Sequence, residues 1–468
     1  MKKEIRGFLR DIEERNVNLH SFLLMEKGEI QGEWYQRPYN SQVLHRMYSV
    51  TKSLVSIAIG MLEEEGKLGL SDRICRYFPE YLPPAPVHPW LWDTRIEDLL
   101  TMRTCHSRAA YKQMETKRWT ASFFQAEPDH CPGTVFSYDT SASVVLAALA
   151  ERLSGRELLS YLRERAFGEI GVSDLAYILK TPDGVSDGGS GLMCTTGDLA
   201  KIGDLCCHFG RFQGRQLLPE AYMRKAVMRQ TGTALQPVAD ERQGYGYQFW
   251  LTRHDGFAMY GMGGQLVLCF PEKELTFVTT GYTVGDMAGV QGIYDAFYKN
   301  MYPGKGAEAE EGFCQVEAWR DGIFGQREGD VDIRCRENAA GWKWAHIVWQ
   351  GEQGCLEYEN RRGRWKIPFG PFEAAGEASL FFMEDDVKSP SWAVVSGRRN
   401  GFVLRAEQMG EEPGVLWIEA GIRGQEITMH MKHSGNPGFC DYNGFVNGFL
   451  CGKLCGKTER TEGRSEIR

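Results

Sequence analysis

The clearest hydrophobic pattern in the 468-residue chain lies just after Ser49. Apolar residues recur there at a spacing of three and four, which is typical of a helix with one buried face: Leu54, Ala58, Met61 and Leu62. A serine at the start of such a pattern is a common first residue of a helix. The pattern therefore predicts a helix whose N-terminus lies at Ser49.

Other segments predict a sheet and a second helix. Runs of apolar and β-branched residues bounded by turn residues predict four strands, at residues 21–26, 29–35, 266–270 and 275–280. The first two flank Lys27 and Gly28, which is typical of a β-hairpin. A helix with one apolar face is predicted before them, with Ile5, Phe8, Leu9 and Ile12 on that face.

The pattern changes after a polar segment at residues 304–312. Short alternating runs separated by turns follow, and they predict an all-β domain, either a small barrel or a sandwich. Its tryptophans are either core residues or a stacking surface for a ligand. The predicted organisation is a first domain at 1–303, a linker at 304–312, an all-β accessory domain at 313–452 and a disordered tail at 453–468.

Ser49 and Lys52 form the first candidate for chemistry. Three residues along a helix bring the two side chains to the same side, so the amine can reach the hydroxyl. Serine is a weak nucleophile until a base removes its proton, and an S-x-x-K pair supplies that base without a histidine. A capping serine followed by a solvated lysine gives the same spacing, which leaves both interpretations open.

Two later stretches carry further candidates. Tyr138 lies on a predicted loop before an apolar helix, where its hydroxyl can face a pocket or its ring can simply pack under the loop. Residues 260–265 contain three glycines and run into a predicted strand. Such glycines allow a backbone to approach a ligand closely, and they also occur in plain tight bends.

Composition narrows the class of partner. A formal net charge of −8 disfavours nucleic acid and anionic membrane surfaces, so a small molecule is the expected partner. No run approaches the roughly 18 apolar residues of a membrane span, and no signal-peptide pattern opens the chain, which predicts a cytoplasmic protein. The 13 cysteines lack zinc-site spacing. We therefore predict no metal, no cofactor and no disulfide.

In their order along the chain, these motifs resemble the serine β-lactamase and penicillin-binding-protein superfamily, specifically the class C β-lactamase-related hydrolases and esterases. The resemblance covers about residues 20–300. It implies an α/β fold, with a β-lactamase-like antiparallel sheet flanked by helices and a mostly helical subdomain, here followed by the C-terminal all-β domain. An active site is then expected in the cleft between sheet and subdomain.

The resemblance also implies roles for individual residues. Ser49 corresponds to the nucleophile, Lys52 to its partner, and Tyr138 to the general base and acid. The backbone N–H groups of Ser49 and Met262 are implied as the oxyanion hole. Further residues implied to contact the substrate are Thr140, Tyr260, Gly261, Gly263, Gly264 and Gln265.

Two departures from the family pattern shape the functional expectation. Thr140 stands where the family often has Asn, and no Lys or His precedes the glycines of residues 261–265, which are similar to the G-x-x-G-Q of the amide- and ester-hydrolysing branch. A cation for a substrate carboxylate is then absent unless Arg103 or Arg108 reaches the pocket. We expect an acyl-enzyme hydrolase of small neutral esters or amides, with weak or no turnover of β-lactams. The alternative is a penicillin-binding-like sensor or scaffold that no longer turns over, and the sequence does not indicate the natural substrate or the oligomeric state.

Overall fold

The computed structural model describes most of the chain: residues 2–302 except 38, 85 and 284–286, and residues 328–451 except 352, 362, 371–378, 384–388, 399, 409–413 and 436–441. The chain divides into two compact units, Met1–Phe313 and Cys314–Arg468. The predicted linker at 304–312 and the predicted tail at 453–468 lie outside the described residues. None of the described helices combines the length and apolar character needed to cross a membrane.

The helices all lie in the first unit. They are α1 (Lys2–Glu14), α2 (Thr51–Glu64), α3 (Pro89–Asp93), α4 (Ile96–Leu100), α5 (Ala110–Gln113), α6 (Trp119–Gln125), α7 (Thr140–Ser154), α8 (Leu158–Leu162), α9 (Thr196–Cys207), α10 (Glu220–Ala226) and α11 (Met287–Asn300), as far as the chain is described.

The strands of the first unit are β1 (Leu19–Glu26), β2 (Glu29–Tyr35), β3 (His45–Arg46), β4 (Tyr177–Ile178), β5 (Leu192–Cys194), β6 (Arg211–Phe212), β7 (Arg215–Gln216), β8 (Trp250–Thr252), β9 (Gly256–Gly261), β10 (Gln265–Phe270) and β11 (Leu275–Gly281). Those of the second unit are β12 (Glu328–Cys335), β13 (Trp344–Gln350), β14 (Gln353–Asn360), β15 (Gly363–Phe369), β16 (Ser379–Met383), β17 (Ser389–Arg398), β18 (Gly401–Gln408), β19 (Gly414–Arg423), β20 (Glu426–Gly435) and β21 (Gly444–Cys451).

The main sheet of the first unit is antiparallel, with its described strands in the order β2-β1-β11-β10-β9-β8. The predicted hairpin is confirmed: Lys27 and Gly28 both adopt positive φ angles (+53° and +76°) between β1 and β2. The predicted strands at 266–270 and 275–280 correspond to β10 and β11. Because β1 pairs with β11, the N-terminal hairpin of the unit lies in the same sheet as its last strand.

Helices cover both faces of this sheet. On one face, α1 and α11 pack through aromatic rings: the Phe8 ring lies 5.4 Å from Phe277, and Phe297 lies 4.6 Å from the same ring. On the other face, α9 approaches the strands closely at Gly203, where an added Cβ would lie 2.5 Å from Val267 Cγ1. The predicted β-lactamase-like sheet flanked by helices is therefore confirmed.

The helical subdomain is built around α2. The hydrophobic pattern predicted one buried face, but the structure buries every residue from Thr51 to Leu62. At Gly60 an added Cβ would lie 2.3 Å from the ring of Tyr222, so α10 packs directly on the helix backbone. A helix covered on all sides has little freedom to shift, and α2 therefore provides a rigid base for the residues at its N-terminus.

The described strands of the second unit form a closed barrel in which β12 to β21 pair in sequence and β21 pairs with β12. Alternate side chains fill its interior. On β13, Ile347 and Trp349 are buried, whereas Val348 between them is 39% exposed. Trp349 and Trp365 are both part of the apolar core. Of the two all-β architectures that the sequence left open, the structure has the barrel.

Candidate active site

Ser49 lies in a 3₁₀ turn, Tyr48–Val50, that leads into α2 at Thr51. The serine thus precedes the α-helix by two residues instead of opening it. Tyr48 adopts φ +45°, which is uncommon for a bulky residue. The turn is tied to the neighbouring chain, because Leu192 accepts a hydrogen bond from the Met47 N–H (2.8 Å) and donates one to Thr51 Oγ1 (3.0 Å). These ties hold a half-exposed serine hydroxyl in one position.

Lys52 is fully buried beneath this turn. Its Nζ donates to Ser49 Oγ at 3.1 Å and to the Gly189 carbonyl oxygen at 2.6 Å. Burial lowers the pKa of Lys52 to about 7, although the charges of Asp187 and Asp139 act in the opposite direction. A large fraction of this amine is therefore neutral near pH 7 and can accept a proton.

Gly189 is held in place by Asp187. Asp187 Oδ1 accepts the Gly189 N–H at 3.0 Å and the Ser190 N–H at 3.1 Å. A side chain at Gly189 would collide with α7, since its Cβ would lie 2.5 Å from the Thr140 methyl group. No role was predicted for this segment. The sequence signal for this loop was an aspartate followed by glycines and a serine. Such a segment commonly forms a turn in which the aspartate side chain accepts hydrogen bonds from the backbone.

Tyr138 lies just before α7, whose N-cap is Asp139. The Tyr138 ring stacks on Trp250 with centroids 5.7 Å apart, and Lys52 Nζ lies 5.1 Å from the centroid of the Tyr138 ring. Burial raises the pKa of Tyr138 well above its usual value and the charge of Glu241 raises it further, whereas a hydrogen bond with Ser49 lowers it. The phenol is therefore protonated at neutral pH. The structure thus brings Ser49, Lys52 and Tyr138 together.

The glycines of residues 261–265 form the turn between β9 and β10. Gly261 packs against the segment before the nucleophile, because an added Cβ would lie 2.1 Å from the Met47 carbonyl oxygen. Gly263 and Gly264 both adopt φ +90°, which favours glycine. Met262 is 45% exposed on this turn. The hairpin therefore places the Met262 backbone beside the nucleophile turn, and its role in an oxyanion hole stays a prediction.

Gln265 supports this turn from within. It is buried, and its Nε2 donates to the carbonyl oxygens of Met262 (3.2 Å) and Gly281 (2.7 Å). The Gly281 N–H donates to its Oε1 at 3.3 Å. This use of the amide differs from the predicted contact with substrate. Thr140 and Tyr260, the other predicted contacts with side chains, are half-buried.

The sequence analysis also assigned no role to Gln248, which joins three helices. Its Nε2 donates to the Leu99 carbonyl (2.9 Å), its Oε1 accepts from Ser143 Oγ (2.6 Å) and its carbonyl accepts from Ser53 Oγ (2.7 Å). Its backbone adopts φ +60°. A buried amide satisfied in this way fixes α2, α4 and α7 relative to one another, and with them Lys52 and Tyr138.

Two histidines of the first unit contact backbone carbonyl groups. His106 is buried and its Nε2 lies 2.8 Å from the Phe123 carbonyl oxygen, and His208 Nδ1 lies 2.9 Å from the Asp204 carbonyl oxygen. Among the described residues, no group of three or more His, Cys, Asp or Glu has an arrangement that could hold a metal ion.

The sequence matches a known protein family. A family model described as Beta-lactamase matches residues 20–287. The chain is similar to the 6-aminohexanoate-dimer hydrolase of Paenarthrobacter ureafaciens, with 22% identity over 296 residues that cover 58% of this chain and 74% of that protein.

Two solved structures are similar in fold. One is the octameric penicillin-binding protein homologue from Pyrococcus abyssi (TM-score 0.54, 16% identity, 95% of this chain and 99% of that one). The other is a family VIII carboxylesterase (TM-score 0.50, 18% identity, 64% of this chain and 97% of that one). The first likeness extends into the second unit. Because the family match spans more than half of the chain and includes Ser49, Lys52 and Tyr138, this protein belongs to the β-lactamase family.

Proposed function

We propose that this protein is a serine hydrolase that cleaves small esters or amides through an acyl-enzyme on Ser49. The observation that carries the proposal is the pairing of Ser49 Oγ with the buried amine of Lys52 at 3.1 Å. A lysine that is neutral near pH 7 is a competent base, whereas a solvated lysine is not. The pairing therefore favours catalysis over a helix cap with a solvated lysine, and with it over a sensor that no longer turns over.

In the first step, Lys52 Nζ accepts the Ser49 proton while Ser49 Oγ forms a bond to the substrate carbonyl carbon. The backbone N–H groups of Ser49 and Met262 are proposed to stabilise the resulting oxyanion. Tyr138 then donates its proton to the leaving alcohol or amine as the carbonyl reforms, and is reprotonated from Lys52. In deacylation, Lys52 Nζ accepts a proton from the attacking water, Tyr138 donates its proton to Ser49 Oγ as the acyl group leaves, and Lys52 again reprotonates Tyr138.

This scheme divides the acid and base roles differently from the family-based prediction. The family resemblance implied that Tyr138 is both general base and general acid, but burial and the charge of Glu241 both oppose formation of its phenolate. The pKa of Lys52, lowered to about 7, makes the amine the better acceptor. Tyr138 is then left with the role of a neutral donor.

Two similar proteins support the proposed class of substrate. One is a hydrolase of the 6-aminohexanoate dimer and the other a carboxylesterase. We propose the same classes of bond here. Arg103, one of the two arginines considered as a carboxylate partner, donates instead to Thr101 Oγ1 (3.0 Å) and to the Gly133 carbonyl (3.3 Å). This use of Arg103 favours substrates without a carboxylate.

Covalent labelling tests the nucleophile. A fluorophosphonate probe should add one label to the protein by intact mass, and Ser49→Ala should abolish both labelling and turnover of p-nitrophenyl acetate. Ser71→Ala, at an exposed serine, is the matched control and should label and turn over like the parent. Labelling that persists in Ser49→Ala would contradict the proposal.

The pH profile separates the two assignments of the base. With Lys52 as the base, kcat/KM for p-nitrophenyl acetate should rise tenfold per pH unit below about 7 and level off above it. With Tyr138 as an ionised base, the rise would continue far into the alkaline range. Only a plateau that begins near pH 7 agrees with the proposed scheme.

Substrate preference tests the pocket. We expect kcat/KM for p-nitrophenyl acetate and butyrate to exceed that for nitrocefin, because a carboxylate would lose water without gaining a strong partner. A larger value for nitrocefin would refute this. Lys112→Ala would then be the next variant, because the charge of this exposed lysine lowers the pKa of Lys52 and so reaches the pocket.

A further inference from the structure

Arg46 links the turn that carries Ser49 to the loop that contacts Lys52, and the proposed mechanism gives it no role. It lies on β3, three residues before the serine. Its Nε donates to the Ser190 carbonyl oxygen at 3.0 Å, and its Nη2 donates to Ser190 Oγ at 2.9 Å. The guanidinium also lies over the ring of Tyr48, 5.1 Å from its centroid. One side chain therefore contacts both segments of the chain that meet at the catalytic pair.

Ser190 is held from two sides in this loop. Its Oγ accepts the bond from Arg46 and donates to Asp187 Oδ2 at 2.8 Å, and Arg46 Nη2 lies 3.7 Å from the same carboxylate oxygen. The Arg46 side chain is 40% exposed, so this ion pair contributes little to the stability of the fold. A planar guanidinium that binds one residue through two bonds instead fixes the orientation of that residue.

The peptide group between Gly189 and Ser190 connects this cluster to the base. Its N–H, from Ser190, donates to Asp187 Oδ1 at 3.1 Å, and its carbonyl oxygen, from Gly189, accepts from Lys52 Nζ at 2.6 Å. A second partner of this amine is Ser49 Oγ at 3.1 Å. Because a peptide group is planar, a tilt at its N–H end also moves the oxygen that holds the lysine. A displacement of about 1 Å in an active site can lower a rate by roughly a hundredfold.

Charge reaches the base along the same contacts. Among the described residues, the groups whose charge acts on the Lys52 amine are Asp187, Asp139 and Lys112, and the Tyr138 ring centroid lies 5.1 Å from Nζ. Both carboxylates favour the protonated amine, whereas burial and the second lysine favour the neutral one. Arg46 adds a positive charge beside Asp187 and so offsets part of the effect of this carboxylate.

We propose that Arg46 is a positioning residue, which acts through the loop of residues 187–190 to hold the Lys52 amine against Ser49. The proposal rests on the serine hydrolase function above and adds to it a residue that acts only through other residues. Arg46 also determines how much of the Asp187 charge reaches the amine. Loss of Arg46 should therefore slow proton transfer from Ser49 and make Lys52 easier to protonate.

The rate of acylation tests the geometric part. In single turnovers of p-nitrophenyl acetate on the alkaline plateau, Arg46→Gln should lower the maximal rate of acylation by roughly tenfold or more. The ester concentration that gives half of this rate should change little. Arg46→Lys keeps the charge but cannot reproduce the planar pair of bonds to Ser190, so its rate should lie between the two. A change confined to the half-saturating concentration would mean that Arg46 contacts the substrate, and would overturn the proposal.

The pH profile of kcat/KM tests the electrostatic part by its sign. Arg46→Gln removes a positive charge beside Asp187, so Lys52 should keep its proton to higher pH and the midpoint should rise above the parental value of about 7. Asp187→Asn removes a negative charge and should lower the midpoint. Opposite shifts of roughly half a pH unit or more are expected, and Arg46→Lys should keep the parental midpoint. An unshifted midpoint in Arg46→Gln would overturn the proposal even if Asp187→Asn did not fold.

Arg215→Gln is the matched control. Arg215 is also exposed and also pairs with a carboxylate, that of Glu169 at 2.8 Å, but it lies on β7 and outside this cluster. The control should keep the parental acylation rate and pH midpoint, and melting curves check that both arginine variants fold. Parental kinetics in Arg46→Gln would overturn the proposal and leave the hydrolase function intact. Absence of Ser49-dependent turnover in the parental protein would instead refute the function itself.

Discussion

The pocket around Ser49 and the interior of the barrel treat buried side chains in opposite ways. The barrel core is apolar and repeats one simple alternation, as on β13, where Ile347 faces inward and Val348 outward. The pocket instead buries ionisable groups: burial lowers the pKa of Lys52 to about 7 and raises that of Tyr138 well above its usual value. Such groups cost free energy of folding, and a fold retains them where they contribute reactivity.

The largest expected effect is at Lys52. Lys52→Met should lower kcat/KM for p-nitrophenyl acetate by roughly two to four orders of magnitude, because Ser49 loses its proton acceptor. The same change should stabilise the protein. The folded-state pKa lies below the ordinary value of 10.5, so the penalty for burying this lysine is complete below pH 7 and fades as the pH rises to 10.5.

Denaturant unfolding of Lys52→Met at pH 7 should therefore show a gain on the order of 2–4 kcal/mol. Lys117→Met, at an exposed lysine, is the control and should change neither activity nor stability appreciably. A destabilised Lys52→Met would mean that the lysine contributes to folding, and the contrast between pocket and barrel would then fail.

The second effect belongs to the barrel, where burial and stability coincide. Leu356→Ala removes a fully buried side chain of β14 and should cost about 2–5 kcal/mol of unfolding free energy, because a cavity remains in a closed interior. Val348→Ala, on the outer face of β13, should cost less than about 1 kcal/mol. Chemical denaturation followed by tryptophan fluorescence measures both, and equal costs would contradict the alternation.

A third comparison makes the same substitution in both regions. Gly261→Ala brings a Cβ to 2.1 Å from the Met47 carbonyl and should displace the β9–β10 turn, with a loss of activity of roughly tenfold or more. Gly351→Ala, in the turn between β13 and β14, has no atom within 4 Å of the added Cβ. Only its positive φ of +61° opposes alanine, so a cost of about 1 kcal/mol and parental esterase activity are expected.

The smallest expected effect is the contribution of Glu241 to the pH dependence of stability. The pKa of this carboxyl is raised in the folded state from its ordinary value of 4.5 to about 7, so the folded protein holds the proton more tightly and loses stability as the pH rises through this range. Glu241→Gln should therefore be more stable than the parent by about 1–3 kcal/mol at pH 8 and nearly equal at pH 5. Melting curves at both pH values test this, and a gain that is equal at pH 5 and 8 would contradict the raised pKa.

Local patterns in the sequence were sufficient for much of the fold. Lys27-Gly28 indicated the first hairpin because the conformation of a two-residue turn depends on those two residues alone. The cap of α9 is also a local feature, since the side chains of Thr195 and Asp198 bond to each other's backbone N–H groups at the start of this helix. The alternation after residue 312 indicated an all-β unit for the same reason, but closure into a barrel requires β12 to meet β21, more than 100 residues later.

The sequence by itself also determined the spacing of Ser49 and Lys52 and the order of the motifs, which were enough to indicate the family. Only the tertiary structure decided the burial, the pKa shifts and the hydrogen-bond partners of the site residues. Lys52 has a lowered pKa because α2 is covered on every side, Gly189 meets it from a loop 137 residues away, and Gln265 turns to the backbone of Gly281. Likewise, the buried Asp240 is paired with Arg253, 13 residues further along the chain. Burial, desolvation and pairing depend on which distant segments meet, so no local pattern encodes them.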